Sequence, residues 1–282
     1  MIPILGTVPE IRAAVAVWKK ERMSIGLVPT MGYLHEGHQS LMQRAAGEND
    51  RVVVSIFVNP LQFGPHEDLE RYPRDMERDV LCCEGAGVHL IFHPRSDIMY
   101  PHEFHTTITV NGLTEGLCGK SRPAHFAGVC TVVCKLFNII APDKAYFGRK
   151  DAQQLAVIRR MTQDLNIPTE IVACPIVREQ DGLAKSSRNI YLRPEERKAA
   201  LALSRSLRLA EQAVADGERD SAILRTVIKT ELTTEPLIAI DYIEIVHPVS
   251  MRPLRNLAGP ALIALAACIG KTRLIDNVAV TA

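Results

Sequence analysis

The stretch Val28-Pro29-Thr30-Met31-Gly32-Tyr33-Leu34-His35-Glu36-Gly37-His38 decides more about this chain's architecture than any other part of it. An apolar strand pattern from Ile25 to Val28 leads into it, and apolar residues at Leu41, Met42, Ala45 and Ala46 follow at the spacing of a helix face. The reading is strand, tight turn, helix. Glycines in such a turn let backbone approach a ligand, and a helix start offers unpaired N–H groups that attract an anion. His35 and His38, three residues apart, converge on one face if they occupy the first helical turn. The pair also fits half of a zinc site, but zinc needs a third and usually a fourth ligand, and none follows at a telling spacing. No protein-held metal is expected.

The same geometry recurs downstream. Arg51 to Asn59 is nearly continuous in β-branched and apolar residues, the mark of a strand covered on both faces, and it ends in the polar run Asn59 to Gly64. Lys144 to Gly148 reads as a strand that passes through Arg149, Lys150, Asp151, Gln153 and Gln154 into the helical set Leu155, Ile158, Met161 and Leu165. Asp151 and Gln154 share a face of that helix. Polar residues just past the carboxyl ends of parallel strands are where open α/β sheets bind ligands.

Around these junctions, Thr7 and Glu10 have capping-box spacing, which starts a helix over 9–22 with Trp18 as a core anchor. A charged segment containing Tyr72 leads to a helix carrying Met76, Val80 and Leu81 on its apolar side, then to a short strand over 88–92. His89 and His93 flank that strand as an ordinary packing pair. Gly119 to Gly128, with Lys120, Arg122 and His125, reads as a basic loop before a buried helix over 129–140. A strand over 169–177 precedes Lys185-Ser186-Ser187-Arg188, a loop rich in phosphate donors. Beyond Pro194 the rhythm changes to two helices and two strands, over 239–246 and 261–268, a small α+β arrangement. Gly270-Lys271-Thr272 resembles the end of a P-loop, but Leu265 stands where its first glycine is required.

With 282 residues the chain is long enough for one large or two modest domains. Its net charge of +1 supplies no global field to attract nucleic acid or an anionic membrane. No apolar run approaches the roughly 20 residues that span a bilayer, and no signal-peptide pattern opens the chain. Seven cysteines without a CxxC pair read as buried thiols in a reducing compartment, so a cytoplasmic location is expected.

Five motifs carry a resemblance: Pro29-Thr30-Met31-Gly32-x-Leu34-His35-x-Gly37-His38, Phe57-Val58-Asn59-Pro60-x-Gln62-Phe63, Arg122-Pro123-x-His125-Phe126-x-Gly128, Phe147-Gly148-x-Lys150-Asp151-x-Gln153-Gln154 and Ser186-Ser187-Arg188-Asn189. With Thr272-Arg273-Leu274-Ile275-Asp276-Asn277 near the end, the chain resembles the pantothenate synthetase family (pantoate–β-alanine ligases) along its whole length. The histidine element alone would indicate only the wider class of nucleotidyl-transferring folds. The resemblance implies an α/β fold with a Rossmann-like parallel sheet and helices on both faces. ATP and pantoate would bind in residues 1–184, and a smaller C-terminal α+β lid would occupy 185–282. It implies condensation of pantoate with β-alanine through a pantoyl adenylate, with ATP as substrate, Mg2+ as helper and a homodimer as the assembly.

By the same resemblance His35, His38 and Lys150 act on the phosphates, and Lys185, Ser186, Ser187 and Arg188 close over them. Gly148 and Asp151 hold the ribose, and Met31 and Val177 complete the ATP site. Gln62 and Gln154 grip pantoate, with Asn59, Tyr72, Arg122 and His125 around them. Arg149 departs from the family, which usually carries an acidic residue there.

Overall fold

The computed structural model describes residues 2–65 and 67–282. In chain order its elements are β1 (Ile4–Leu5), α1 (Val8–Lys20), β2 (Ile25–Thr30), α2 (Glu36–Glu48), β3 (Arg51–Ile56), α3 (Met76–Gly85), β4 (Leu90–Phe92), α4 (Ser96–Met99), α5 (Leu117–Ser121), α6 (His125–Ile140) and β5 (Lys144–Gly148). They continue with α7 (Ala152–Asp164), β6 (Glu170–Cys174), α8 (Pro194–Ala199), α9 (Leu201–Ala215), α10 (Ser221–Thr233), β7 (Ile238–Val246), β8 (Pro260–Ile269) and β9 (Thr272–Thr281). Two compact units result. One comprises Met1–Val110, Ala124–Arg149 and Val157–Pro175; the other comprises Asn111–Pro123, Lys150–Ala156 and Ile176–Ala282.

The first unit is built on a six-stranded sheet in the order β1-β4-β3-β2-β5-β6, with every pairing parallel. Parallel strands need crossovers, and α2, α3 and α6 supply them. Residues of β2 and β3 alternate between faces: Val28, Val52, Val54 and Ile56 pack with Leu41, Met42 and Ala45 of α2, while α6 packs on α1 and β2. The chain builds outward from β2 through β3 to β4, then crosses back to place β5 on the other side of β2. Strand order therefore reverses between β2 and β5, the switch point at which such sheets bind ligands beyond their carboxyl ends. The expected parallel α/β sheet is the one observed.

The second unit centres on the antiparallel sheet β7-β8-β9. Ile263, Leu265 and Ala267 of β8 face the core made with α9 and α10, whereas Leu262 and Ala264 pack with Leu117, Ala156 and Met251. Both faces are covered, which explains why β8 reads as an unbroken apolar run.

Several expectations need correction. The α6 helix begins at His125, a turn earlier than the loop reading allows, because Phe126 and Gly128 are buried with the rest of its apolar face and Pro123 lies just outside it. Within the same supposed loop, 117–121 forms α5. A third C-terminal strand, β9, adds to the two expected, and Gly270, at φ +58°, turns the hairpin that leads into it. Trp18 is only half-buried, with the Arg51 guanidinium 6.0 Å from its ring centre. Leu81 is 69 % exposed, while Asp79 is 1 % exposed on the inner side of α3. His89 and His93 do flank β4: the His89 Nδ1 accepts from Val52 N at 3.2 Å and the His93 Nδ1 lies 2.7 Å from Ile56 O. No helix among the described residues is long and apolar enough to cross a membrane.

Candidate active site

The turn after β2 is built to present two imidazoles. Thr30 ends the strand with its hydroxyl donating to Ser55 O of β3 and accepting from Gly32 N. Gly32 and Tyr33 then take φ of +85° and +50°, and a Cβ at Gly32 would stand 2.9 Å from the Asp79 carboxylate. That carboxylate accepts N–H groups from Tyr33 at 2.8 Å and Leu34 at 2.6 Å, so it pins the left-handed turn from below. Burial pushes the Asp79 carboxyl above its ordinary range, while these two backbone bonds pull the other way.

His35 is the N-cap of α2 and His38 its third residue. The His35 Nδ1 accepts from Gly37 N at 3.1 Å, and the His38 Nδ1 accepts from His35 N at 3.3 Å. Both Nδ1 atoms are therefore acceptors, which leaves the proton of each neutral ring on Nε2. The rings lie 4.1 Å apart between centroids. The result is a pair of Nε2–H donors at a helix N-terminus, where backbone N–H groups and the helix dipole already favour negative charge.

Beyond β3, the same unit holds an amide cluster. Asn59 caps a 3₁₀ turn over Pro60–Gln62 and is 1 % exposed. Its oxygen accepts from Leu61 N (3.3 Å) and Tyr100 Oη (2.7 Å), and its nitrogen donates to Gly128 O (3.0 Å) and Gln62 Oε1 (3.2 Å). With its oxygen turned to Asn59, Gln62 presents Nε2, which reaches Met31 Sδ at 2.8 Å. The His125 Nδ1 lies 2.9 Å from Gln62 O. Gly128 makes this packing feasible, since a Cβ there would stand 2.2 Å from Leu61 O. Tyr72 is buried with its ring edge-on to Phe63, 5.9 Å away, just after Gln62.

The second unit holds the other set. Gly148 ends β5 in the first unit; Arg149–Asp151 then form a 3₁₀ turn and Gln154 lies in the first turn of α7. Lys150 is half-buried and its carbonyl accepts from Asn277 Nδ2 at 2.8 Å. Asp151 is exposed and Gln154 half-buried. Its neighbour Gln153 is a structural amide, accepting from Cys118 N and donating to Leu113 O and Gly116 O. Val177 O takes Lys185 N at 2.9 Å, closing a loop whose exit is Ser186, N-cap to a 3₁₀ turn over Ser187–Tyr191. Ser187 is buried; Lys185 and Arg188 are half-buried. Arg122 caps α5 in this unit, whereas His125 belongs to the first. Arg149 is exposed.

Asp79 and Tyr100 support the donors of the first unit and Arg178 those of the second, and none of the three is singled out by the sequence motifs. For Asp79 a signal exists: it stands three residues after Met76 and four before Cys83, a carboxylate on the buried stripe of α3. A charge there needs a partner.

Residues 3–279 match the family described as Pantoate-beta-alanine ligase. The chain is 62 % identical to the pantothenate synthetase of Heliobacterium modesticaldum over 261 residues, covering 93 % of both chains. A crystal structure of pantothenate synthetase from Thermus thermophilus superimposes with a TM-score of 0.94 at 47 % identity, covering 98 % of this chain and 99 % of that one. The pantoate-beta-alanine ligase of Francisella tularensis, solved in complex with β-γ ATP and β-alanine, superimposes at a TM-score of 0.82 and 34 % identity, covering 99 % of this chain and 97 % of that one. Sequence and fold agree along nearly its full length, and the chain belongs to the pantoate–β-alanine ligase family.

Proposed function

We propose that this protein condenses pantoate with β-alanine at the expense of ATP, as its family does, through the residues described above. The observation that carries the reading is the pair of Nε2–H donors held at the start of α2, beside the point where strand order reverses.

A carboxylate acylates poorly, so it must first be activated. A pantoate carboxylate oxygen attacks the α-phosphorus of ATP; the new P–O bond forms as the bond to pyrophosphate breaks, leaving pantoyl adenylate. The β-alanine amine then attacks the acyl carbon, the amide forms, and AMP departs with the electron pair of the broken C–O bond. No enzyme nucleophile is needed, so catalysis consists of alignment and stabilisation of charge on the phosphates. His35 and His38 donate to the phosphates from fixed rings. Lys150 adds a cation there, and Lys185, Ser186, Ser187 and Arg188 bind the leaving pyrophosphate. Gly148 and Asp151 take the ribose, and Met31 and Val177 line the nucleotide site.

Gln62 offers its Nε2–H to a pantoate oxygen because Asn59 holds its Oε1. Gln154 takes a second pantoate group. Asn59, with all four of its amide bonding positions used inside the protein, serves by orienting Gln62, and His125 and Tyr72 support the same turn. Arg122 orders the pocket in its own unit.

Mg2+, where bound with ATP, would supply a counter-charge to the triphosphate. No group of three or more His, Cys, Asp or Glu side chains suited to a metal occurs among the described residues. Residues 1–184 hold pantoate and most of the ATP site, and 185–282 act as a lid whose Lys185, Ser186, Ser187 and Arg188 close over the phosphates. The protein works as a homodimer in the cytoplasm, where its free cysteines stay reduced.

Gln62→Ala is the test of the pantoate assignment. Losing a hydrogen bond to a charged group costs about 1.5–3 kcal/mol, so KM for pantoate is expected to rise roughly 10- to 100-fold with KM for ATP unchanged. AMP release with pantoate titrated at fixed ATP and β-alanine reads both constants. An unaltered pantoate dependence would remove Gln62 from the site.

A further inference from the structure

The motif Thr272 to Asn277 has so far served only as a family resemblance, yet Asn277 touches Lys150 and its neighbour Asp276 holds Arg178, at the base of the loop that leads to Ser186–Arg188. Strand residues alternate between faces, so the adjacent Asp276 and Asn277 reach opposite sides of β9. Asn277 donates through Nδ2 to the carbonyl of Lys150 at 2.8 Å. Asp276, 2 % exposed, takes a bidentate pair from Arg178, at 2.6 Å and 2.9 Å, and accepts from Asn277 N at 2.8 Å.

Arg178 stands at the base of the loop that ends in the two serines. Its guanidinium also donates to Gly182 O at 3.1 Å, and its backbone bridges Ala184. Asn189, just past Arg188, closes the other end by donating to Ala184 O and to Glu179, which is itself ion-paired to Arg197. A buried ion pair adds little net stability compared with apolar residues of the same volume. Its placement under this loop fits a role in geometry better than one in stability.

We propose that Asp276 and Asn277 are positioning residues for adenylate formation, with one dipeptide on β9 holding both Lys150 and the Ser186–Arg188 loop. The proposal rests on the reading that Lys150 and this loop act on the phosphates of ATP. Asn277 sets the height of the turn from which Lys150 projects. Asp276, through Arg178, sets the base of the serine loop. Both act through residues of their own unit and touch no substrate.

The experiment is a double-mutant cycle read by pantoate-dependent pyrophosphate exchange, with melting temperature recorded for every variant. Asn277→Ala is expected to lower the exchange rate about tenfold, since small displacements of a positioned group cost one to two orders of magnitude. Lys150→Ala should lower it by about 10²-fold, and the double variant no further, because residues acting through one another are not additive. Asp276→Asn, which keeps the shape and removes the charge, should raise KM for ATP several-fold and leave KM for pantoate unchanged. Should Asn277→Ala fail to fold, Asn277→Asp gives the same comparison without the amide donor. A native exchange rate in Asn277→Ala, or losses that simply add in the double variant, overturns the proposal. A native rate in Lys150→Ala overturns instead the phosphate assignment on which it rests, so the two failures are distinguishable.

Discussion

His38→Ala is expected to lower the rate of pantoyl adenylate formation by about 10²-fold or more, the scale for removing one preorganised donor from developing charge. The expectation follows from how the ring is held. Its Nδ1 is committed to His35 N, so the Nε2–H points away from the backbone and needs no reorientation when charge grows on the phosphates. Removing it also removes the acceptor for His35 N, the other half of the reciprocal cap at the start of α2. The His35 ring should then lose its fixed attitude, and the deficit should exceed that of a single lost hydrogen bond. Single-turnover formation of the adenylate from ATP and pantoate measures it; near-native turnover would mean that the imidazole does not act on the phosphates.

Gly128→Ala should damage the pantoate side of the site although the residue itself meets no substrate. A methyl group there would lie 2.2 Å from Leu61 O, 2.4 Å from Leu61 C and 2.6 Å from Gln62 N, all main-chain atoms that no rotamer change can move. Either α6 or the 3₁₀ turn must shift, and overpacking of this kind costs about 1–3 kcal/mol, occasionally more. The shift falls on the turn that carries Gln62 and breaks the Asn59 bond to Gly128 O. KM for pantoate should rise about tenfold or more, since a displacement near 1 Å at a binding group has effects of that order, with a lower melting temperature. Native values of both would show that the turn tolerates the shift without loss of alignment.

Arrangements set by local chemistry are legible in the sequence. The strand, turn and helix around His35 and His38 follow from apolar periodicity and two glycines, and β3 from an unbroken run of β-branched residues. The parallel sheet follows from the recurrence of that unit at Lys144 to Gln154. What local pattern cannot carry is partnership across distance. Nothing near Asp79 in sequence announces Tyr33 and Leu34, 46 and 45 residues away, as the donors to its carboxylate, and the exposed Leu81 on the same helix points to the wrong face. The β9 strand is hard to read because Asp276 and Asn277 interrupt its apolar alternation. Those polar residues are buried because Arg178 and Lys150, 98 and 127 residues away, complete their hydrogen bonds. Asn59 reads as a substrate ligand from its motif, and only the fold reveals that Tyr100, Leu61, Gly128 and Gln62 occupy its amide.

Exchange of labelled pyrophosphate into ATP, measured with pantoate present and β-alanine absent, tests the central claim most directly. Formation of a pantoyl adenylate makes the first half-reaction reversible on its own, so exchange should rise with pantoate concentration and vanish without it. Exchange that proceeds without pantoate, or none when pantoate is saturating, would contradict adenylation of pantoate as the step this site performs.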